Sequence, residues 1–181
     1  MSLKELTSHK HAAAESTAFM KAVFARNLPF DLWVDWTYQR SHFYGFIEGA
    51  AGVNGLLDDL PGLNRSFLLY QDFKQMNRDN KQFSFRKPVV DYREYLMSIA
   101  DDPDKIMAHV YTWHMGDMFG GQAIKKIVPG SHKSLDFKDS KVLIERIRAK
   151  LTDSMAAEAN IAFDWAIAIM KDYDSSLGSN I

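Results

Sequence analysis

Signals for helix starts and stops divide this chain into segments that favour α-helices over strands. Ser2 with Glu5 three residues later fits a capping box and predicts a helix over about residues 3–24. Asp102-Pro103 fits an N-cap with proline at the first helical position, and predicts a helix that continues to Val128. The other predicted helices are one capped by Asp31 and ending near Val53, one over 63–76, one over 88–100, and one from about Asp139 to about Asp172 with room for a break.

These helical segments account for most of the chain. Residues 77–88 predict a loop, and no strand-rich half, internal repeat or low-complexity linker is present. A chain of 181 residues is long enough to bury a substantial core. We therefore expect an all-α fold, a helical bundle of about six to eight helices that forms one domain over residues 1–181.

Composition excludes several classes of site. The chain has no cysteine, so disulfides, thiolate metal ligands and cysteine nucleophiles are excluded. Its net charge of −1 argues against a nucleic-acid partner. The polar N-terminus lacks the apolar core of a signal peptide, and no apolar run approaches the roughly 20 residues of a membrane span. We expect a soluble, cytoplasmic domain.

The first predicted helix carries a histidine with a carboxylate beside it. His11 and Glu15 are four residues apart, so they are neighbours on one helix face. A carboxylate at this spacing can anchor one nitrogen of an imidazole whose other nitrogen binds a metal. Lys4 lies almost two turns before His11, about 10 Å away on the same face. The alternative is an ordinary surface pair, which is the usual outcome for His and Glu at this spacing.

The segment AHVYTWHMGDMFGGQAIKK places three glycines in a helical context. Each interior glycine costs roughly 1 kcal/mol relative to alanine, so Gly116, Gly120 and Gly121 together need an explanation. Gly116 and Gly120 share one face and leave bare backbone that can admit a flat ligand or a crossing helix. Asp117 adds a carboxylate beside this strip. Without further information, close packing of two helices is the stronger interpretation.

A longer pattern surrounds those glycines and resembles the distal-helix signature of heme oxygenases. The matching residues are His109, Tyr111, Thr112, Gly116, Asp117, Gly120, Gly121, Gln122, Lys125 and Lys126. The stretch KELTSHKHAAAESTAFMK is similar to the proximal helix of the same family. Weaker similarity covers most of the remaining chain, including 44–48 and EANIAF at 158–163. The chain is most similar to the compact, soluble, ferredoxin-dependent type found in cyanobacteria and their phages.

The resemblance implies a helical bundle that holds heme b between a proximal and a distal helix, with the following roles. His11 is the axial metal ligand and Glu15 its partner; Gly116 and Gly120 let the distal backbone approach the heme, and Asp117, with Gly116, is catalytic through an ordered water. Lys4, Tyr111 and Arg148 contact the propionates, and Phe163 contacts the heme. The implied products are biliverdin, carbon monoxide and ferrous iron, with cleavage at the α-meso carbon.

Three positions depart from the family pattern. Trp113 stands where the family usually has an arginine, and Phe119 stands where a serine is common. We expect both to make the pocket more apolar and to change the water network around Asp117. Ile144 replaces a second cation near Arg148, which weakens the expected propionate contacts.

The chain has no nucleotide fingerprint, and we expect no flavin or nucleotide in it, so electrons for a reaction with O₂ must come from a partner. Residues 125–150 hold eight lysines and arginines against three acids, and such a surface can dock an acidic donor. The resemblance implies ferredoxin, and a bilin reductase as a downstream partner. The alternative is an ordinary solvated surface.

Other functions remain open at this point. One alternative is a heme-binding or heme-storage protein without turnover, which Trp113 and Phe119 keep open. A thiaminase-like enzyme of similar architecture would need a cysteine nucleophile, which is absent, and a ferritin-like di-iron site would need Glu-x-x-His pairs, which are also absent. A helical interaction module would leave the first-helix pattern unexplained.

Overall fold

The computed structural model describes residues 2–178, and in this part of the chain the secondary structure is entirely helical. Short 3-10 turns at Lys133–Leu135 and Asp153–Met155 join some of the helices. The ten α-helices are α1 (Leu3–Glu15), α2 (Ala18–Phe24), α3 (Phe30–Val53), α4 (Ser66–Met76), α5 (Lys87–Ser98), α6 (Pro103–Phe119), α7 (Gly121–Ile127), α8 (Ser140–Lys150), α9 (Ala156–Lys171) and α10 (Asp174–Leu177).

The predicted capping interactions at the starts of α1 and α6 are confirmed. The Glu5 carboxylate accepts a hydrogen bond from the Ser2 backbone N–H at 2.7 Å, and the Ser2 hydroxyl accepts from the Glu5 N–H. The Asp102 side chain accepts from the Lys105 N–H at 3.1 Å, with Pro103 in the first turn. Each cap satisfies an N–H group that has no partner inside its own helix.

The structure has more helices than the six to eight expected, because it divides two predicted helices, separates α8 from α9 and adds the short α10. The helix predicted over 3–24 is interrupted because the hydroxyls of Ser16 and Thr17 donate to the carbonyls of Ala13 and Ala14, both at 2.9 Å. Side-chain bonds of this kind compete with the helical ladder. The helix predicted to reach Val128 is instead interrupted at Gly120, which separates α6 from α7.

The predicted cap at Asp31 is wrong. Pro29 occupies the N-cap position of α3 without a side-chain hydrogen bond, and Asp31 lies in the first helical turn. A carboxylate there still interacts favourably with the helix dipole. The predicted loop between α4 and α5 is confirmed.

The central helix of the bundle is α6, which packs against α3 on one side and α9 on the other. Eleven of its residues are buried, including Ile106, Val110 and Trp113. The long helix α3 packs on α4, and α1 packs on α9. This arrangement places the faces of α1, α3, α6 and α9 around one cleft.

Candidate functional site

The cleft encloses about 160 Å³ and is open to solvent at its mouth. Sites for small molecules and cofactors typically have apolar walls with a few polar groups. Apolar side chains form most of these walls, among them Trp36, Trp113, Phe163, Ala166 and Met170. The polar residues that line the cleft are His11, Glu15, Arg40, Thr112 and Asp117.

His11 and Glu15 lie at the edge of this cleft and keep much of their surface exposed. The Nδ1 atom of His11 is 3.7 Å from Oε2 of Glu15, and the two side chains are 56% and 59% exposed. The ring of Phe163 meets the imidazole edge-on, with the centroids 5.8 Å apart. With Glu15 beside Nδ1, the other ring nitrogen, Nε2, is left for a ligand in the cleft.

The three glycines have different surroundings. A Cβ added at Gly116 would meet no heavy atom within 4 Å, so the backbone there borders open space in the cleft. A Cβ at Gly120 would lie 3.2 Å from the Gly116 carbonyl oxygen, and one at Gly121 would lie 2.8 Å from Cδ2 of Leu135. The interpretation of close packing therefore holds for Gly121, whereas Gly116 leaves room for a ligand.

Asp117 is buried beside the cleft and is held by residues of α3. The Nη2 atom of Arg40 donates to both carboxylate oxygens of Asp117, and the Tyr44 hydroxyl donates to Oδ2 at 2.7 Å. Burial opposes the charge of Arg40, but the combined interactions with Asp117 and Tyr44 raise its pKa. Burial and the neighbouring Asp117 carboxylate raise the pKa of Tyr44, which therefore remains a neutral phenol.

Arg40 is a site residue that was not predicted from the sequence. A usable signal was present, because Arg40, Tyr44 and Glu48 follow one another at four-residue steps in a helix that is otherwise largely apolar. Polar groups aligned on one face of a buried helix need partners inside the protein. The expected loss of a cation at Trp113 is therefore offset, since α3 provides a guanidinium beside Asp117.

Trp113 is buried among aromatic rings and is bonded away from Asp117. Its ring centroid is 4.5 Å from that of Phe43, and its Nε1–H donates to the Tyr92 hydroxyl at 2.9 Å. Tyr92 in turn is bonded to Nδ1 of His109 at 2.7 Å, and Nε2 of His109 is 2.9 Å from Glu158. Burial lowers the pKa of His109 despite this carboxylate, so the imidazole is neutral at neutral pH.

Glu48 lies about two turns beyond Arg40 on the same face of α3 and connects α3 to α6 and α4. Its carboxylate accepts from Nε2 of His114 at 3.1 Å on α6, and from the backbone N–H groups of Arg65 and Ser66 at the start of α4. Burial penalises its charge, but the hydrogen bonds from His114 and Ser66 outweigh this penalty and lower its pKa. These bonds fix α3 relative to α6, and with it the position of Arg40.

The structure brings six of the predicted site residues together around the cleft: His11, Glu15, Gly116, Asp117, Gly120 and Phe163. The other three, which are the predicted propionate contacts Lys4, Tyr111 and Arg148, are not among the residues that line it. Lys4 and Arg148 are exposed, and Tyr111 is partly buried.

Phe119 is also absent from the cleft lining, contrary to the expectation that it makes the pocket more apolar. It is 56% exposed, and the guanidinium of Arg148 lies 6.0 Å from its ring centroid. An exposed side chain of this kind does not shape the wall of the cleft.

Within residues 2–178, no helix is both long and apolar enough to cross a bilayer.

A family model described as heme oxygenase matches residues 1–145 of the chain. Heme oxygenase 2 of Mus musculus is 24% identical over 207 residues, and the match covers 96% of this chain but only 65% of the mouse protein. Heme oxygenase of the alga Guillardia theta is 25% identical and covers 96% of this chain and 85% of its own length. This chain therefore spans less than two thirds of the length of its mammalian relatives.

Solved structures share the fold. Heme oxygenase-1 of the cyanobacterium Synechocystis, solved in complex with heme, superposes with a TM-score of 0.84 at 22% identity and covers 98% of this chain and 92% of its own. Heme oxygenase of Leptospira interrogans superposes with a TM-score of 0.82 at 22% identity and covers 94% and 97%. The all-helical fold predicted from the sequence is confirmed, and the match to the family model over 145 residues decides the family. The chain belongs to the heme oxygenase family.

Proposed function

We propose that this protein is an active heme oxygenase, which binds heme b as both cofactor and substrate and opens the ring with O₂ and external electrons. The products are biliverdin, carbon monoxide and ferrous iron. The observation that carries this proposal is one cleft that His11 of α1 lines together with Gly116 and Asp117 of α6, two helices far apart in the sequence.

The residues of the cleft fit a heme. A porphyrin supplies four nitrogens to its iron, so the protein needs to provide only an axial ligand, and His11 is the imidazole in the cleft. Glu15 beside Nδ1 orients the ring so that Nε2 can bind the iron. The aromatic and aliphatic walls suit the apolar faces of the macrocycle, and the open space at Gly116 admits its edge close to the helix backbone.

Asp117 takes the role of a fixed acceptor in the oxygen pocket. Bound heme supplies the iron that activates O₂ and the meso carbon that is oxidised. Asp117, held by Arg40 and Tyr44, orients a water molecule in the pocket and so controls where a proton is delivered. Gly116 leaves the space in front of the α6 backbone free of a side chain, so that a ligand can approach this backbone.

Lys4, Tyr111 and Arg148 are assigned to the heme propionates by resemblance. None of the three lines the cleft, and for Lys4 and Arg148 the long side chains can extend to its rim. Propionate contacts set the rotation of the heme and hence which meso carbon is attacked. We assign α-cleavage to this enzyme by the same resemblance to the family.

The electron donor in this proposal is ferredoxin or a similar acidic protein, and residues 125–150 form the docking surface. Two of the cations there are already paired, Lys125 with Asp136 and Lys150 with Asp59. The others, which include Lys126, Lys133 and Arg148, provide the positive charge. A bilin reductase as the consumer of biliverdin and a cytoplasmic location stay predictions.

Hemin titration followed by turnover tests the proposal. One equivalent of hemin should give a saturable Soret band, and ferredoxin with its reductase and air should then replace that band with the spectrum of biliverdin. Chromatography of the extracted pigment identifies the isomer. A Soret band that persists under reductant and air would instead establish a heme-binding protein without turnover, and no saturable binding would exclude both functions.

A further inference from the structure

The charge pair between Arg40 and Asp117 lies inside the protein, although both residues also line the cleft. Their side chains are 6% and 12% exposed, and they join α3 to α6 across 77 residues of sequence. Taking two charges out of water is costly unless their geometry and additional hydrogen bonds offset that cost. Here the Tyr44 hydroxyl adds such a bond to Asp117.

The neighbouring polar groups cannot replace Arg40. The Tyr44 hydroxyl gives its hydrogen to Asp117 and accepts from Arg40 at 3.2 Å, so it has no second hydrogen to donate. Trp113 donates its only N–H to Tyr92. Arg40 is therefore the cation that balances the Asp117 charge among the described residues in contact with this carboxylate.

We propose that Arg40 is a positioning residue, which keeps Asp117 ionised and fixed so that it acts only as a hydrogen-bond acceptor in the cleft. This inference rests on the proposed function. A carboxylate has about four acceptor positions, and Oδ1 receives one donor, from Arg40, whereas Oδ2 receives two. The remaining capacity of Oδ1 is available to a water molecule in the cleft.

This assignment fixes the direction of the hydrogen bonds in the oxygen pocket. A water molecule bound to an ionised Asp117 must donate one hydrogen to it, which leaves the other hydrogen for the ligand at the iron. A protonated Asp117 could donate to the same water molecule and reverse its orientation. Arg40 thereby selects the orientation in which the water is a proton donor.

Four variants separate this role from a purely structural one: Arg40→Met, Arg40→Lys, Asp117→Asn and the double variant Arg40→Met/Asp117→Asn. Arg86→Met is the matched control, because Arg86 also pairs with a buried carboxylate, Asp35 at 2.7 Å, but outside the cleft. The measurements are the hemin Kd, the rate of biliverdin formation, and the C–O stretching frequency of carbon monoxide bound to the ferrous heme complex. That frequency reports the local field at the ligand.

Removing one hydrogen-bond donor that acts directly on the reacting atoms lowers the rate roughly 100- to 1000-fold. Removing a residue that acts through another residue lowers the rate less. We expect Arg40→Met to lower the rate about tenfold or more, to shift the C–O stretch and to leave the hemin Kd nearly unchanged. Arg40→Lys should keep most of the wild-type rate and a C–O stretching frequency close to that of the wild type. Arg86→Met should lower the melting temperature but change neither the rate nor the C–O stretching frequency.

The double variant is decisive, since residues that act as a unit are not additive. In the Asp117→Asn background, Arg40→Met should have no further effect on the rate or the C–O stretch. Multiplicative effects would show that Arg40 acts on the ligand directly and would overturn the proposal, as would wild-type signals in Arg40→Met. If Arg40→Met fails to fold, the double variant compared with Asp117→Asn carries the test, because it removes Arg40 without leaving an unpaired buried charge. Absence of hemin binding in the wild-type protein would instead refute the proposed function.

Discussion

Replacing Gly116 with alanine should stabilise the heme-free protein and at the same time weaken its binding of hemin. Gly116 lies inside α6, where a glycine costs about 0.8–1 kcal/mol relative to alanine. The added Cβ would meet no heavy atom within 4 Å, so no steric cost offsets this gain. For a chain of this length, about 1 kcal/mol corresponds to a rise in melting temperature of roughly 2–4 °C.

The same methyl group would occupy space in the cleft that the heme needs. Forcing an extra methyl into a packed contact costs about 1–3 kcal/mol, which is a factor of about 5 to 150 in the hemin Kd. Thermal unfolding of the heme-free protein measures the first effect, and hemin titration measures the second. The two effects have opposite signs because the added Cβ favours the helical backbone but occupies space that the heme would fill.

Gly49→Ala is the matched control. Gly49 also lies inside a helix, α3, and a Cβ added there would also meet no heavy atom within 4 Å, but Gly49 does not line the cleft. We expect a similar stabilisation and an unchanged hemin Kd. A lower melting temperature of Gly116→Ala would show that the space at Gly116 is not open, and an unchanged hemin Kd would show that the heme does not lie against Gly116.

The remaining predictions concern the axial ligand, the oxygen pocket and the stability of the fold. His11→Ala should keep the fold, because this side chain is 56% exposed, and should abolish the native heme spectrum; a retained spectrum would reassign the ligand. Asp117→Ala should still bind hemin but lose biliverdin formation, and a wild-type product yield would remove Asp117 from the mechanism. Glu48→Ala should lower the free energy of unfolding by about 3 kcal/mol in urea denaturation, since it leaves several buried donors without an acceptor. Stability should fall between about pH 7 and pH 5.5, because the pKa of His109 is lowered by burial and the unfolded chain therefore takes up more protons below about 6.5. Thermal melts at the two pH values measure this slope, and an equal slope in His109→Gln would exclude His109 as its source.

The features that the sequence predicted correctly depend on neighbours along the chain. The caps at Ser2 and Asp102 were predictable because each joins groups three residues apart. The spacing of His11 and Glu15 placed both on one face of α1 for the same reason. The breaks at Thr17 and Gly120 were missed because a continuous and an interrupted helix differ there by little in free energy. Tertiary packing decides between the two.

The sequence by itself determined an all-helical fold and, through the pattern around Gly116 and Asp117, the family. The fold follows from helix periodicity and caps, and the family follows from the resemblance of one continuous motif to the heme oxygenase signature. Only the tertiary structure decided that Arg40 supplies the cation for Asp117 and that Gly116 faces open space whereas Gly121 packs on Leu135. The physical reason is that the partner of a buried charge, and the space beside a glycine, depend on which element packs against it. For Asp117 that element is α3, 77 residues away in the chain.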